Sequence, residues 1–349
     1  MANVKLQAII ITLILSGLSI PQEPYRVGTT AASFLELGYD ARGLAMGNAQ
    51  VGNSDGLNSV LWNPSGVSEI LKPEITLMIQ PWILDINNNM IGVAIPAFNS
   101  GVIALIYYGV SYGSEKVTTL ENQEGTGETF DGHDMSLGLT VAAKITDKFS
   151  FGISGKFISS RIWKVNSSAI CLDLGSTIKT DFLNTSTSYG GGVNIGMSIT
   201  NYGTRMRYDG IGLNYTTDIS EDDGNYEYTP VRFETDAWEL PLFFRLGISW
   251  QPLNNNHQTL LLALDAVHPN NNSEYLNFGS EYLMRHPKGE IAIRAGYRGL
   301  YMDQSEFGLT FGAGIKLDLR RNRYSKIDIS FRNAGVFGWL QAYSIGISL

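Results

Sequence analysis

Four histidines are the first candidates for acid–base chemistry, because histidine changes its charge near neutral pH. They are His133, His257, His268 and His286. All four fall in predicted loops or at predicted strand ends, and no nucleophile elbow lies near them. Gly190–Gly191–Gly192 precedes a predicted strand rather than a helix, so it does not form a phosphate-binding loop. The sequence therefore predicts a protein that is not an enzyme and that carries no cofactor.

Acidic and thiol side chains are the candidate metal ligands of the sequence. Glu221, Asp222, Asp223 and Asn225 surround Gly224 and could offer oxygen ligands to calcium. Their spacing is not that of a defined calcium loop, so a solvated acidic loop is favoured. Cys171 is the only cysteine, which excludes an intramolecular disulfide and a cysteine-based zinc cluster. We expect it to be a buried thiol on a strand, and we predict no metal site.

Composition points away from an ordinary soluble domain. Only 17% of the residues are charged, against about 25% in a typical soluble domain, while 38 glycines and 11% aromatic residues are present. The net charge of -8 and the lack of a basic cluster with interleaved aromatics exclude nucleic acid as a partner. Mean hydropathy is only -0.03, and after residue 20 no uninterrupted apolar run is long enough for a membrane helix.

Strand-like alternation runs through most of the chain after residue 73. In the segment that begins at Phe149, the apolar residues Phe151, Ile153 and Phe157 alternate with Ser150, Ser154 and Lys156. A β-strand places successive side chains on opposite faces, so each strand has one apolar and one polar face. We count about 14 such segments, an even number as in bacterial outer-membrane barrels. The predicted fold is an all-β membrane protein with an antiparallel transmembrane β-barrel over residues 73–349, in contact with outer-membrane lipid.

Charged residues of both signs lie on the predicted inner face of this barrel. The polar set predicted for the lumen is Asp265, Glu281, Arg294, Asp328 and Arg332. These side chains could line a permeation path, dock an internal segment or fill the barrel as an ion-pair network. The mixed signs favour the ion-pair network.

The N-terminal part has a different pattern. Residues 1–19 contain Lys5, a short apolar stretch and small residues before a cleavage point, which predicts a signal peptide. Residues 20–72 do not alternate, and their apolar content favours a compact plug inside the barrel. Ala41–Met46 and Leu57–Leu61 are its predicted helices, and Asp55 is the predicted cap of the second.

Two local features are candidates for function. Asn63–Pro64, with Trp62 and Arg42, could form a kink that lets the plug move, or Pro64 could simply stop a helix, and both readings stay open. Two external loops are predicted at Gly113–Gly132 and at Tyr202–Glu239. The second carries apolar side chains that could contact a partner or pack over the barrel mouth. These are Tyr226, Tyr228, Phe233 and Trp238, together with Val231.

Several motifs resemble those of the PorV/PorQ family of outer-membrane proteins. The first matching stretch contains Asp40–Ala41–Arg42–Gly43, Met46–Gly47–Asn48–Ala49 and Trp62–Asn63–Pro64–Ser65–Gly66. The second contains His268–Pro269–Asn270, Glu274–Tyr275–Leu276–Asn277 and Arg294–Ala295–Gly296–Tyr297–Arg298. The chain is also similar to the wider FadL-type barrel superfamily, whose plug carries an Asn–Pro–Ala motif. Ser65 stands here in place of that alanine.

The resemblance implies a FadL-like barrel filled by its plug, in the bacterial outer membrane. PorV proteins serve the type IX secretion system, where they bind cargo C-terminal domains beside a translocon. FadL proteins instead pass long-chain fatty acids and other hydrophobic small molecules. We favour the secretion reading and keep hydrophobic transport as the alternative, with a purely structural barrel or a phospholipase as the weakest. A filled lumen would favour partner binding, and a continuous apolar path would favour transport.

Overall fold

The computed structural model describes residues 26–84, 86–98, 101–184, 192–218, 228–302, 305–319 and 323–349. The predicted signal peptide lies outside the described residues. Also outside the described residues are the acidic run 221–225, Tyr226 of the predicted partner surface, Gly190 and Gly191.

Across the described residues, fourteen antiparallel strands form a closed barrel, which confirms the predicted fold class. Neighbours in sequence pair with each other, and the first and last strands pair to close the cylinder. The barrel strands are β1 (Glu74–Pro81), β2 (Asn87–Phe98), β3 (Gly101–Lys116), β4 (Thr129–Lys144), β5 (Phe149–Ile162), β6 (Val165–Lys179), β7 (Asn194–Gly203), β12 (Phe243–Asn254), β13 (Gln258–Pro269), β14 (Tyr275–His286), β15 (Gly289–Leu300), β16 (Phe307–Leu319), β17 (Arg323–Ala334) and β18 (Trp339–Ser348).

The segment between β7 and β12 is the long connection of the barrel. It carries two small hairpin-like sheets, in which β8 (Met206–Arg207) pairs with β11 (Ala237–Trp238) and β9 (Asn214–Thr217) pairs with β10 (Thr229–Arg232). We call the end of the barrel with this connection the loop end. The opposite end, where residues 145–148, 255–257 and 287–288 make short connections, is the turn end.

The wall has the two faces that the alternation predicts. On β5, Phe151, Ile153 and Phe157 point outward and are exposed, while Ser154 and Lys156 are buried on the lumen side. The outward apolar side chains of the other barrel strands are exposed in the same way. Such an outer surface suits lipid, because apolar side chains gain nothing from contact with water. In the described parts of the chain, the helices are all too short to cross a membrane.

The lumen contains the segment before β1, the plug. It holds the 3-10 helices Ser33–Glu36, Leu57–Leu61 and Pro64–Glu69 and the α-helix α1 (Ala41–Ala45). Further 3-10 turns lie in the loops at Ile211–Leu213 and Gly335–Phe337. α1 starts at Asp40, whose carboxylate accepts hydrogen bonds from the backbone amides of Arg42 and Gly43. All five residues of α1 are buried, so its fold depends on the surrounding wall.

The predicted cap of the second plug helix is wrong. The residue before Leu57–Leu61 is Gly56, so the N-cap position has no side chain that could cap this helix. The carboxylate of Asp55 instead pairs with the guanidinium of Arg42, and the backbone amide of Leu57 donates to the carboxylate of Glu74. A charged partner binds a carboxylate more strongly than an amide does, which explains the exchange.

One loop boundary also differs from the prediction. β3 and β4 remain paired as far as Lys116 and Thr129, so the connection is shorter than the predicted Gly113–Gly132 loop. The pairing continues because the register shifts between Ser111 and Ser114. A β-bulge of this kind lets a ladder continue with one strand locally bent.

Candidate functional site: the plug–wall interface and the loop end

Glycines on the inner face of the wall let the plug backbone approach the barrel strands. A side chain at Gly152 would lie 2.5 Å from the carbonyl carbon of Pro64, and one at Gly279 would lie 2.5 Å from the carbonyl oxygen of Met46. The wall glycines that touch the plug in this way are Gly152, Gly175, Gly196, Gly247, Gly279, Gly296 and Gly312. We call this set the glycine belt.

The belt is built largely from cross-strand pairs. Gly152 lies opposite Gly175, Gly196 opposite Gly247, and Gly279 opposite Gly296. Each pair opens a gap in the inner face that is wider than one missing side chain. Glycine in a strand interior destabilises the strand, so its repeated use here marks the close approach of another backbone.

Wall side chains bind the plug backbone directly. Asp265 accepts hydrogen bonds from the backbone amides of Gln50 (2.7 Å) and Val51 (2.9 Å). Ser249 donates to the carbonyl of Gly52 at 2.8 Å, and Thr310 donates to that of Ala45 at 3.0 Å. These bonds satisfy polar groups of a segment with little regular structure, which would otherwise be buried without partners.

Asn63 joins two parts of the plug to the wall. Its Nδ2 donates to the carbonyl oxygens of Val51 (3.0 Å) and Ser176 (2.9 Å). Its Oδ1 accepts from the backbone amide and the hydroxyl of Ser65. Pro64 occupies the first turn of the helix Pro64–Glu69, where its missing amide hydrogen costs nothing. The Asn–Pro pair therefore begins a helix just after the helix Leu57–Leu61 ends.

A buried ion-pair network connects the plug to three strands of the wall, β14, β15 and β17. Glu281 on β14 binds Arg42 of the plug at 2.9 Å and Arg294 of β15 at 2.6 Å. Arg294 also binds Asp328 of β17 at 2.8 Å. Burial alone would lower the pKa of Arg42, but the carboxylates of Asp55 and Glu281 raise it, so the guanidinium stays charged. Opposite charges thus offset one another inside the barrel.

The structure brings only part of the predicted lumen set together. Glu281, Arg294 and Asp328 share the network with Arg42. Arg332 lies apart, where it donates to the carbonyl of Leu37 at 3.2 Å and stacks on Trp82. Asp265 also lies apart from the network, on the plug amides described above. All five side chains are buried.

Trp62 lies against α1 in the middle of the plug. Its ring packs over Gly43, where an added side chain would come within 2.8 Å of the indole nitrogen. The indole N–H points to the carboxylate of Asp40, 3.4 Å away. Trp62 therefore holds α1 and the Asn63–Pro64 turn together.

A cavity of about 290 Å³ lies between the plug and the wall strands around β14–β18. Its lining includes Asp40, Arg42, Asp55, Glu281, Arg294 and Asp328. The space left beside the plug is therefore bordered both by the charged groups of the ion-pair network and by apolar side chains that include Leu57, Ile70 and Ile315.

Comparisons with known proteins assign the chain to a family. Residues 20–222, more than half of the chain, match the family model described as type IX secretion system protein PorV. The chain belongs to the PorV family. It is an outer-membrane β-barrel associated with type IX secretion. No curated protein sequence matches it.

Solved structures with a similar fold include transport barrels. The toluene transporter TodX of Pseudomonas putida is 13% identical, with 89% of this chain and 96% of that chain covered and a TM-score of 0.52. The monoaromatic hydrocarbon channel CymD is 10% identical, with coverages of 89% and 97% and a TM-score of 0.58. The toluene transporter TbuX of Ralstonia pickettii is 11% identical, with the same coverages and a TM-score of 0.52. These likenesses show that the PorV-family chain shares their fold.

The loop end carries the described members of the predicted partner surface. Tyr228 is 76% exposed, Phe233 60% and Trp238 44%. Phe233 stacks on Tyr215 with ring centroids 4.3 Å apart, across the β9–β10 sheet. The structure thus brings Phe233 and Tyr215 together on a small sheet outside the barrel wall.

Sequence reasoning missed the glycine belt and the turn-end anchor of the plug. Glu69 binds Lys144 at 2.8 Å and Lys179 at 2.7 Å, which ties the last plug helix to β4 and β6. The alternation places these glycines on the polar face of the wall, but it does not show that a backbone lies against them. Repeated glycines at inward positions of neighbouring strands were the available signal for a close-packed internal segment.

Proposed function

We propose that this PorV-family barrel serves type IX secretion as a binding protein, receiving secreted cargo or a translocon component at its loop end. The observation that carries this proposal is the filled lumen. The plug backbone lies against the glycine belt, and its amides and carbonyls bond to Asp265, Ser249 and Thr310. A lumen occupied by the plug in this way favours action at the surface of the barrel over passage through it.

The same interface argues for an anchoring role of Arg42, Trp62, Asn63 and Pro64. Arg42 is bound by carboxylates of both plug and wall, and the side chain of Asn63 bonds in both directions. Moving the plug would break these contacts together and leave buried charges without partners. We therefore assign these residues to fixing the plug rather than to opening it.

Hydrophobic transport, the alternative, needs an apolar path. The cavity beside the plug is lined by the charged groups of the ion-pair network together with apolar side chains such as Leu57, Ile70 and Ile315, so it offers no continuous apolar path. An apolar molecule entering there would remove water from charged side chains without replacing their hydrogen bonds, which is unfavourable. The charged groups of the lining therefore favour a binding role of the protein over transport through its lumen.

The loop end offers the chemistry of a docking surface. Tyr228, Phe233 and Trp238 are exposed on a segment that stands outside the wall. Aromatic side chains are enriched in protein interfaces, because they bury much apolar area with few rotatable bonds. The cargo C-terminal domain or the translocon is the partner proposed for this surface.

The test is gentle purification of the tagged protein from its native outer membrane, followed by identification of the proteins that accompany it. Phe233→Ser is compared with Phe337→Ser, since Phe337 is 59% exposed in a different loop. The proposal expects Phe233→Ser to lose cargo or translocon proteins and Phe337→Ser to retain them. Recovery of bound lipid without a protein partner from wild type, or equal partner recovery from both variants, contradicts it.

A further inference from the structure

Buried arginines in the lumen fall into two groups with different partners. Arg42 and Arg294 pair with carboxylates, as described above. Arg245, Arg298 and Arg332 each lie over an aromatic ring instead, at 4.3 Å from Phe243, 3.7 Å from Phe307 and 4.4 Å from Trp82. Each of these three arginines lies nearer to the loop end of its strand than to the turn end.

The second group lacks ionic partners among the described residues. No described carboxylate oxygen lies within 4 Å of the guanidinium nitrogens of Arg245, Arg298 or Arg332. Nε of Arg298 has no hydrogen-bond acceptor there, although the residue is only 7% exposed, and Nε and Nη2 of Arg332 have none either. A buried guanidinium normally uses its N–H groups, so a free donor at this depth points to a missing acceptor.

Arg245 and Arg298 line one small cavity between the plug and the wall. Lys156 also lines it, but its charge is offset by Asp173 at 2.8 Å. The plug contributes Glu36, whose carboxylate accepts from Asn271 at 2.7 Å. Burial raises the pKa of Glu36 in spite of Asn271, Arg298 and Arg245. Two guanidiniums therefore face at most one carboxylate across this cavity.

The cavity volume of about 30 Å³ limits what can enter. A site of this kind needs roughly 10–15 Å³ for one water molecule, so it has room for about two waters or one monatomic anion. A phosphate ester or an organic acid is too large. A small anion would accept a hydrogen bond from Nε of Arg298 and would offset the excess positive charge of Arg245 and Arg298.

We propose that the cavity lined by Arg245, Arg298 and Glu36 binds a monovalent anion of about the size of chloride. The anion would accept from the guanidinium groups of the wall while lying beside the 3-10 helix Ser33–Glu36 of the plug. It would bind the assembled plug and wall more tightly than the unfolded chain, and so stabilise the folded protein by mass action. This inference does not depend on the secretion partner.

The test measures the thermal unfolding midpoint of the full chain in detergent, with chloride replaced stepwise by gluconate at constant ionic strength. The proposal expects a saturable rise in the midpoint with chloride for wild type and no such rise for Arg298→Gln. Arg332→Gln is the matched control, because Arg332 is equally buried and stacked but does not line the cavity. Its chloride-dependent rise should remain, even if its midpoint in gluconate is lower.

A second measurement does not require a variant to fold. Crystals of wild type soaked in bromide should show one anomalous peak beside Arg298. A wild-type midpoint that is the same in chloride and gluconate, a full chloride effect in Arg298→Gln, or no bromide peak at this place overturns the proposal.

Discussion

Arg42 of the plug and Glu281 of the barrel wall form an ion pair with two parallel hydrogen bonds, Nη2 to Oε1 at 2.9 Å and Nε to Oε2 at 3.0 Å. The two residues are 239 positions apart in the chain. A paired fork of this type fixes orientation as well as distance. It therefore sets the position of α1 relative to the wall.

Replacing Glu281 by glutamine should destabilise the folded barrel by about 3–5 kcal/mol, because Arg42 and Arg294 would lose a buried counter-charge. The free energy of unfolding from urea titration in lipid vesicles measures this. Glu290→Gln is the control, since Glu290 pairs with Lys316 and Arg285 at 3.4 and 3.7 Å near the turn end and is more exposed. Glu290→Gln should lower the free energy of unfolding by less than about 1 kcal/mol. Equal effects of the two variants would show that the network does not hold the plug.

The glycine belt predicts a steric limit. A methyl group at Gly196 would collide with the carbonyl oxygen of Val51, whereas one at Gly308 would meet nothing within 4 Å. We expect Gly196→Ala to cost about 1–3 kcal/mol or more and to increase protease cleavage of the plug. Gly308→Ala should leave stability and cleavage unchanged. Similar cleavage of both variants would mean that the plug does not lie against β7.

The two ends of the Asn63 side chain can be tested separately. Asn63→Asp keeps the oxygen that caps Ser65 but loses the Nδ2 donor to Val51 and Ser176. Each buried carbonyl left without a donor should cost about 1–3 kcal/mol, measured by urea unfolding. Asn255→Asp is the control, because Asn255 is an exposed turn residue whose Oδ1 accepts from His257 and Gln258. A stable Asn63→Asp variant would refute the anchoring role.

The ionised carboxylate of Glu69 should make the stability of the folded protein depend on pH. Burial opposes its ionisation, but hydrogen bonds from Lys144 and Lys179 lower its pKa below the ordinary 4.5. A carboxyl whose pKa is lower in the folded state stabilises the fold above its unfolded pKa, and this stabilisation is lost as pH falls through the folded pKa. Wild type should therefore exceed Glu69→Gln in unfolding midpoint at neutral pH, and the gap should close well below pH 4.5. A difference in unfolding midpoint between wild type and Glu69→Gln that is the same at neutral pH and well below pH 4.5 would contradict this role of Glu69.

The alternation along the wall strands was enough to predict the barrel, because lipid and lumen impose opposite chemistry on successive residues. Phe151 and Ser154 lie on the faces assigned to them from that pattern alone. The plug was harder to derive, since its short helices depend on distant wall groups. Asp55 shows this: its place before Leu57 suggested a cap, but Arg42, brought near by the fold, takes its carboxylate. Sequence spacing does not encode such partners.

The lumen charges illustrate the same limit. Their inward position followed from the alternation, and mixed signs favoured ion pairs. The pattern did not show that Arg294 would meet Glu281 and Asp328 while Arg332 would lie over Trp82. Those partners depend on the register between strands, on the plug and on nearby loop residues.

The most direct test of the account locks the plug to the wall and asks whether secretion continues. The hydroxyls of Ser65 and Thr177 are 2.7 Å apart, so Ser65→Cys with Thr177→Cys, in a Cys171→Ser background, would place two thiols in contact. Surface display of type IX cargo is then measured in cells whose only copy carries the oxidised disulfide, with each single-cysteine variant as control. The account predicts cargo display equal to that of the controls, because the plug stays in place during function. Loss of display in the oxidised form, restored by a reductant, would contradict it.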